Sequence, residues 1–252
     1  MMQCNTWTKK HRLHLLFLAV VASSASQTFA YDLKHALTHG HGVLQLGGYW
    51  NTQGHAQHID ITGITGDEFS APSPKNPGSG LVGFGYFIDG NDNPVFKPSF
   101  GLNWFYLGPT SRSGTVTQEN LYTNLGYRYK VTNYPLYAAV QSTFKTRSSK
   151  YDMTMNAGIG PNFMTTSKFS EQSLGANTIP DQIFSGTTTT VFSATAGIGI
   201  KINQVFGASP LECGYRFFYL GQGKFKALND QINTILNTGE GYANAVMCSF
   251  TI

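Results

Sequence analysis

The sequence predicts an all-β chain: an eight-stranded antiparallel up-and-down β-barrel that spans a membrane and carries long extracellular loops. Three observations predict it. Segments of about ten residues alternate between apolar and small or polar residues with period two, as strands do with one face in lipid and one in a lumen. Of the 252 residues 13% are aromatic, only 12% are charged and 28 are glycine, the charged share being about half that of an ordinary soluble domain. The connections between segments alternate in length, long then short. The same composition excludes disorder as a description of the whole chain, since disordered chains are rich in charge and poor in aromatics.

Residues 1–30 read as a signal peptide. Lys9, Lys10 and Arg12 precede an apolar run over residues 13–22, and a small, polar cleavage region follows to Ala30. The run is shorter than the ~20 residues a spanning helix needs, so cleavage is expected rather than anchoring. Residues 31–41 then form a periplasmic N-terminal segment and 42–252 the barrel. The leader removes three basic residues and no acidic ones. Fourteen basic and thirteen acidic residues remain, a net charge of +1, with no basic patch of the kind that binds nucleic acid.

The strands follow in order, each with an apolar face. Strand one offers Leu44, Leu46 and Trp50; strand two Val82, Phe84, Tyr86 and Ile88; strand three Phe96, Phe100, Leu102, Trp104 and Tyr106. Strand four runs over 117–146 with Leu136, Ala138, Val140 and Phe144 outward. Its Thr132-Asn133-Tyr134-Pro135 looks like a turn, but splitting it gives nine strands, and bacterial single-chain barrels have even numbers. One long strand is therefore expected, projecting above the membrane with a bulge near Pro135. Strand five carries Met153, Met155, Ala157, Ile159 and Phe163, and strand six Phe192, Ala194, Ala196, Ile198 and Ile200. Leu211, Cys213, Tyr215 and Phe217 mark strand seven, and Val246, Cys248, Phe250 and Ile252 strand eight. Residues 52–79, 166–186 and 223–241 are the long connections, and 89–95, 147–151 and 203–208 the short ones. A soluble β-sandwich also alternates, but it does not call for a leader, a weakly charged polar face or this rhythm of connections.

The opposite parity would put Lys97, Lys145, Asp152, Lys201, Glu212 and Arg216 into lipid, at roughly 2–4 kcal/mol for a Lys or Arg at the midplane. These six are expected to point inward as an ionic ladder across the lumen floor, with Arg216 highest and Lys201 paired to Glu212. The ladder is read as structural rather than as an ion path, because an eight-stranded interior is only wide enough to be filled by side chains. Gly83, Gly85, Gly158, Gly160, Gly197 and Gly199 face inward on this register, relieving crowding against Tyr49, Phe105 and Tyr137.

Candidate chemistry is sparse. His55, His58 and Asp60 could form a rim triad with a loop serine, but a triad is defined by geometry. His39-x-His41 and His55-x-x-His58 have ligand-like spacing on opposite sides of the membrane, which argues against one metal site. Residues 71–80 form a Pro/Gly/Ser-rich loop tip, 187–190 (TTTT) start a β-branched run, and 228–238 suit a short helical turn. No catalytic, cofactor-binding or metal residue is assigned. Cys213 and Cys248 should lie at similar depth on the lipid face of neighbouring strands. A disulfide is permitted there, but two free thiols packed beside lipid are the preferred expectation.

The segments GVLQLGGYW (42–50), MNAGIG (155–160), TAGIGIKI (195–202) and CGYRFFYLGQGKFK (213–226) carry a family likeness. On them the chain resembles the small eight-stranded outer-membrane barrels of Gram-negative bacteria, the OmpA-like transmembrane domains and opacity-protein-like surface antigens. The resemblance covers nearly all of 42–252. It departs at the last residue, where that family usually has an aromatic and this chain has Ile252. It implies residence in the cell outer membrane and a structural or loop-mediated binding and adhesion role. A small porin-like pore is the alternative, followed by a lipid A-modifying barrel enzyme. The implied partners are outer-membrane lipid and lipopolysaccharide, the barrel assembly machinery, and host or envelope ligands met by the loops. Nucleic acid and cofactors are not expected.

Overall fold

The computed structural model describes residues 40–175, 178–206 and 209–252. The leader at 1–30 and most of the segment 31–41 lie outside the described residues. Eight long strands form the fold: β1 (Gly40–Gln53), β2 (Gly78–Asp89), β3 (Phe96–Gln118), β4 (Tyr122–Phe144), β5 (Tyr151–Ser173), β6 (Thr188–Phe206), β7 (Ser209–Gly221) and β8 (Gly241–Thr251). They pair in the cyclic order β3-β2-β1-β8-β7-β6-β5-β4, and β4 returns to β3. The sheet is thus a closed eight-stranded ring without a free edge. Its seam joins the two ends of the barrel, Leu44 opposite Phe250 and Leu46 opposite Cys248, and Ile252 exchanges both backbone hydrogen bonds with Gly42.

Period two decides which side chains face where. Outward residues are apolar yet open: Leu102, Met153, Ile159, Phe192 and Val246 are each 58–61% exposed. An exposed apolar belt running round a closed barrel suits a lipid surround rather than water. On β5 it runs from Tyr151 to Phe163, about 12 steps of ~3.3 Å, or roughly 30 Å of height at a tilt of ~40°. Inward residues fill the lumen. Phe105, Tyr137 and Phe218 are fully buried, with ring centroids 5.2–6.3 Å apart. The inward glycines make room for them: a Cβ on Gly83 would lie 2.6 Å from the Phe105 ring, and one on Gly158 3.0 Å from Tyr137.

The strands differ in length more than the sequence suggests. β3, β4 and β5 each have 23 residues, whereas β8 has 11. Strand three does not stop at Tyr106, and residues 117–118 end it rather than start strand four. The chain reverses at Glu119 and Asn120, both at positive φ (50° and 58°), as a tight hairpin turn requires. β4 does run unbroken through Pro135. The bulge sits across from it in β3, between Leu107 and Thr110, opposite Asn133 and Val131. Asn162 on β5 steadies this point: its Oδ1 accepts from Tyr134 N at 3.1 Å and its Nδ2 donates to Asn133 Oδ1 at 2.9 Å. β5 likewise continues past Phe163 to Ser173, and pairs through Pro161 without a register shift there.

The long connections are structured. Strands Gln57–Ile59 and Asp67–Phe69 form a hairpin that adds to the top of β3, and Ser73–Asn76 pairs with β3 lower down. Phe184–Ser185 pairs with Lys226–Ala227. The stretch 228–238 is not helical. It holds a turn at Asn229–Ile232 and is pinned by bridges from Ile232 to Ile61 and from Asn237 to Lys224, because cross-loop backbone partners outcompete a helix too short to stand alone.

Candidate functional site

The inner faces of the extended β3, β4 and β5 carry Val116, Leu125, Tyr127, Tyr129, Val131 and Phe169. The first and last long connections and residues 183–185 supply Ile59, Phe69, Phe184, Phe225, Ile232 and Leu236. These residues bury one another in a core above the lumen. Aromatic contacts hold it, with Tyr129 to Phe225 at 5.0 Å, Phe69 to Tyr127 at 5.1 Å and Phe169 to Phe184 at 5.7 Å. Polar ties cross the loops: Thr62 N donates to Gln231 O and Asn233 N to Asp60 O, each at 2.8 Å. Gln57 Nε2 donates to Asn237 O at 2.8 Å. The loops therefore form one cored cap rather than free tips. Arg112 closes its base, fully buried, donating to Asn51 O at 2.7 Å and Asn51 Oδ1 at 2.6 Å.

A cavity of about 620 Å³ opens in this cap between the β3–β4 turn, residues 61–64, 181–183 and 228–232. Asp67, Glu119 and Asp181 give it an acidic wall, and Gln118, Asn229 and Gln231 add amides. Asp67 Oδ1 accepts from Glu119 N at 3.2 Å. Beneath, Glu171 Oε2 accepts from Gln182 N at 2.9 Å, and Gln182 returns a bond to Glu171 O. Burial pushes the carboxyl pKa of both Asp67 and Glu171 up, and the charge of Asp181 pushes each further. Four separated segments build this wall, so no spacing in the sequence could have revealed it.

Of the six residues expected as a lumen ladder, Lys97, Lys201 and Glu212 line one cavity, and among the described residues no ion pair joins any two of the six. Lys97 Nζ lies 2.6 Å from Asp89 Oδ2, and Asp89 also accepts from Ser99 and lies 3.3 Å from His41 Nδ1. Lys201 and Glu212 are opposed in register and line the same cavity, of about 240 Å³, at the short-turn end of the barrel. Among the described residues no ion pair joins them. Glu212 instead accepts from Gln141 Nε2 at 2.7 Å and Thr154 Oγ1 at 2.8 Å, neighbours that satisfy both of its oxygens. Lys145 lies beyond the end of β4, paired with Asp92 at 2.6 Å. Asp152 accepts from Thr146 N and Asn203 Nδ2, closing two turns. Arg216 sits higher and buried, its guanidinium 5.0 Å from the Phe105 ring centre. His41 and Asp89 are the members that strand-by-strand reading missed. Their signal was parity: both fall on the inward face at strand ends.

His58 is held between two carboxylates, Nδ1 at 2.8 Å from Glu68 and Nε2 at 3.4 Å from Asp60. Its ring nitrogens thus face acids rather than a serine. His55 stands apart, beside Gly239. Cys213 and Cys248 are directly opposed and joined by a disulfide, in place of the free thiols expected. A register that sets the two side chains face to face on adjacent strands makes the bond geometrically accessible.

No family model matches the chain, and no curated protein matches it. Among solved structures it is similar to Neisserial surface protein A, at 11% identity and TM-score 0.36, covering 84% of this chain and 96% of that one. The attachment invasion locus protein Ail of Yersinia pestis is similar at 12% identity and TM-score 0.34, covering 84% and 99%. So is the outer membrane protease OmpT of Escherichia coli, at 8% identity and TM-score 0.47, covering 84% and 95%. At such identities and scores these likenesses assign no role, and the functional reading rests on the barrel's own geometry.

Proposed function

We propose that the chain is an integral outer-membrane protein that serves as a surface binding scaffold. In this reading residues 1–30 export the chain and are removed, 31–41 stay periplasmic, and the β3–β4 turn and the long connections face outward. The barrel assembly machinery inserts the ring, and outer-membrane lipid and lipopolysaccharide surround its apolar belt. The observation that carries the binding role is the cored cap: loops locked to extended strands around a cavity of about 620 Å³. A rigid scaffold with a pre-formed concavity is where ligand sites are found. The acidic wall favours a ligand with cationic or hydrogen-bond donor groups. Conduction fits the interior poorly, since an aromatic layer and Arg216 cross the lumen.

The test joins topology and transport. Tags inserted at 119–121 and 178–180 should be accessible to antibody on intact cells, and tags at 90–93 or 148–150 should not. Residues 73–76 are less suitable, since they pair with β3. The purified protein should pass no steady current in a planar bilayer. Accessible tags at 90–93 would invert the orientation, and stable single-channel openings would restore the pore.

A further inference from the structure

The outer face of the cap carries a basic groove directly above the lipid belt. The strand Ser73–Asn76 and β3, β4 and β5 lie side by side there, and their outward residues converge. Ser111 pairs with Lys130, Ser113 with Arg128, and Arg128 in turn with Ser170. Lys75, Arg128, Lys130, Lys168, Ser111 and Ser170 line a groove of about 560 Å³. Among the described residues none of the four cations has a carboxylate within ion-pair distance. Like charges on adjacent strands repel, so the arrangement is favourable only when a counter-charge is brought to it.

Lys168 shows that the groove is built. It occupies a bulge, where pairing shifts register across Arg128 and Lys130, with φ at +51°. A non-glycine residue rarely adopts that conformation, and bulges re-aim side chains. Depth identifies the occupant. Tyr106 and Tyr134, with centroids 5.5 Å apart, end the apolar belt on this side. Lys130 stands four residues above Tyr134, roughly 10 Å higher at the usual rise and tilt. Long basic side chains there reach the headgroup layer.

We propose that this groove binds the phosphate groups of anionic glycolipids in the leaflet around the barrel. Arg128 supplies a fork suited to paired phosphate oxygens, the lysines supply point charges, and the serines add hydroxyl donors. The assignment rests on the outward orientation of the cap proposed above.

The test uses the refolded full barrel in detergent and three probes: bisphosphorylated lipid A, the same lipid dephosphorylated, and inositol hexakisphosphate. The wild type should bind the bisphosphorylated lipid at least about tenfold more tightly than the dephosphorylated one. The variant K75Q/R128Q/K130Q/K168Q should lose that difference while keeping the folded-barrel gel shift. In the unaltered protein, bisphosphorylated lipid A should also protect Lys75 and Lys168, but not Lys226, from amine labelling. Unchanged preference in the variant, or equal labelling with and without lipid, overturns the proposal. Binding of inositol hexakisphosphate as tight as that of the lipid overturns it in favour of a soluble polyanion. Tag accessibility on intact cells is read separately, so failure of the groove and failure of the orientation give different results.

Discussion

Phe105 holds the lumen together, touching Phe218 and Tyr137 and lying under the Arg216 guanidinium. Phe105→Ala should cost about 3–5 kcal/mol through lost burial and a residual cavity, read as a lower urea midpoint for the folded barrel. Glu171 ties the cap to Gln182 through two hydrogen bonds. Its pKa is raised by burial, so its stabilising share is full below the ordinary carboxylate range and is lost as pH rises through the raised folded value. Amides of 181–185 should therefore exchange more slowly, after correction for intrinsic rates, at mildly acidic than at neutral pH. Glu171→Gln keeps an acceptor for Gln182 N and should flatten that dependence; an unchanged profile would show that another group governs the cap. Cys213 and Cys248 close a segment of 35 residues, and their loss should cost about 2–4 kcal/mol. Thiol labelling of the unfolded, unreduced protein should find neither cysteine free.

Among the elements, the β3–β4 hairpin departs most from what the sequence shows. Its turn uses Glu119 at φ 50°, a conformation that costs an L-residue about 1–2 kcal/mol. Glu119→Gly should slow exchange of the hairpin amides by relieving part of that cost, and faster exchange would contradict the geometry. The transmembrane halves of the strands were legible because lipid enforces strict alternation, so Val82 through Ile88 and Phe192 through Ile200 declare their faces. Above the membrane the outer face meets water and the inner face a core, and Ser111, Ser113 and Thr115 no longer contrast sharply with their neighbours. The turn escaped notice because it lacks the Asn-Gly or Asp-Gly pair that signals one. Of the ionic residues, Lys97, Lys201 and Glu212 line one cavity at the end of the barrel and Arg216 is buried. Their partners were not legible: Gln141 and Thr154 reach Glu212 from strands that do not adjoin its own, and Asp89 ends the strand just before that of Lys97.

At the scale of the whole molecule, β3–β5 rise far above the membrane while β1, β2, β7 and β8 stop sooner, and the loops lean across to fill the difference. Removing residues 228–236 should expose the aromatic core of the cap to a hydrophobic dye while leaving the ring closed, as judged by retention of the folded gel shift. The disulfide has a further consequence at this scale. It lies on the outer wall among Leu211, Tyr215, Val246 and Phe250, so once the barrel is seated its sulfurs are sheltered by acyl chains. It stands level with Met153, one outward position from the end of the belt at Tyr151, so water-soluble reductants should open it more slowly in the seated barrel than in the unfolded chain, as thiol labelling against time would show. A bond closed while the last two strands are still wet would then keep a record of the redox conditions of that earlier moment, even as the medium outside changes.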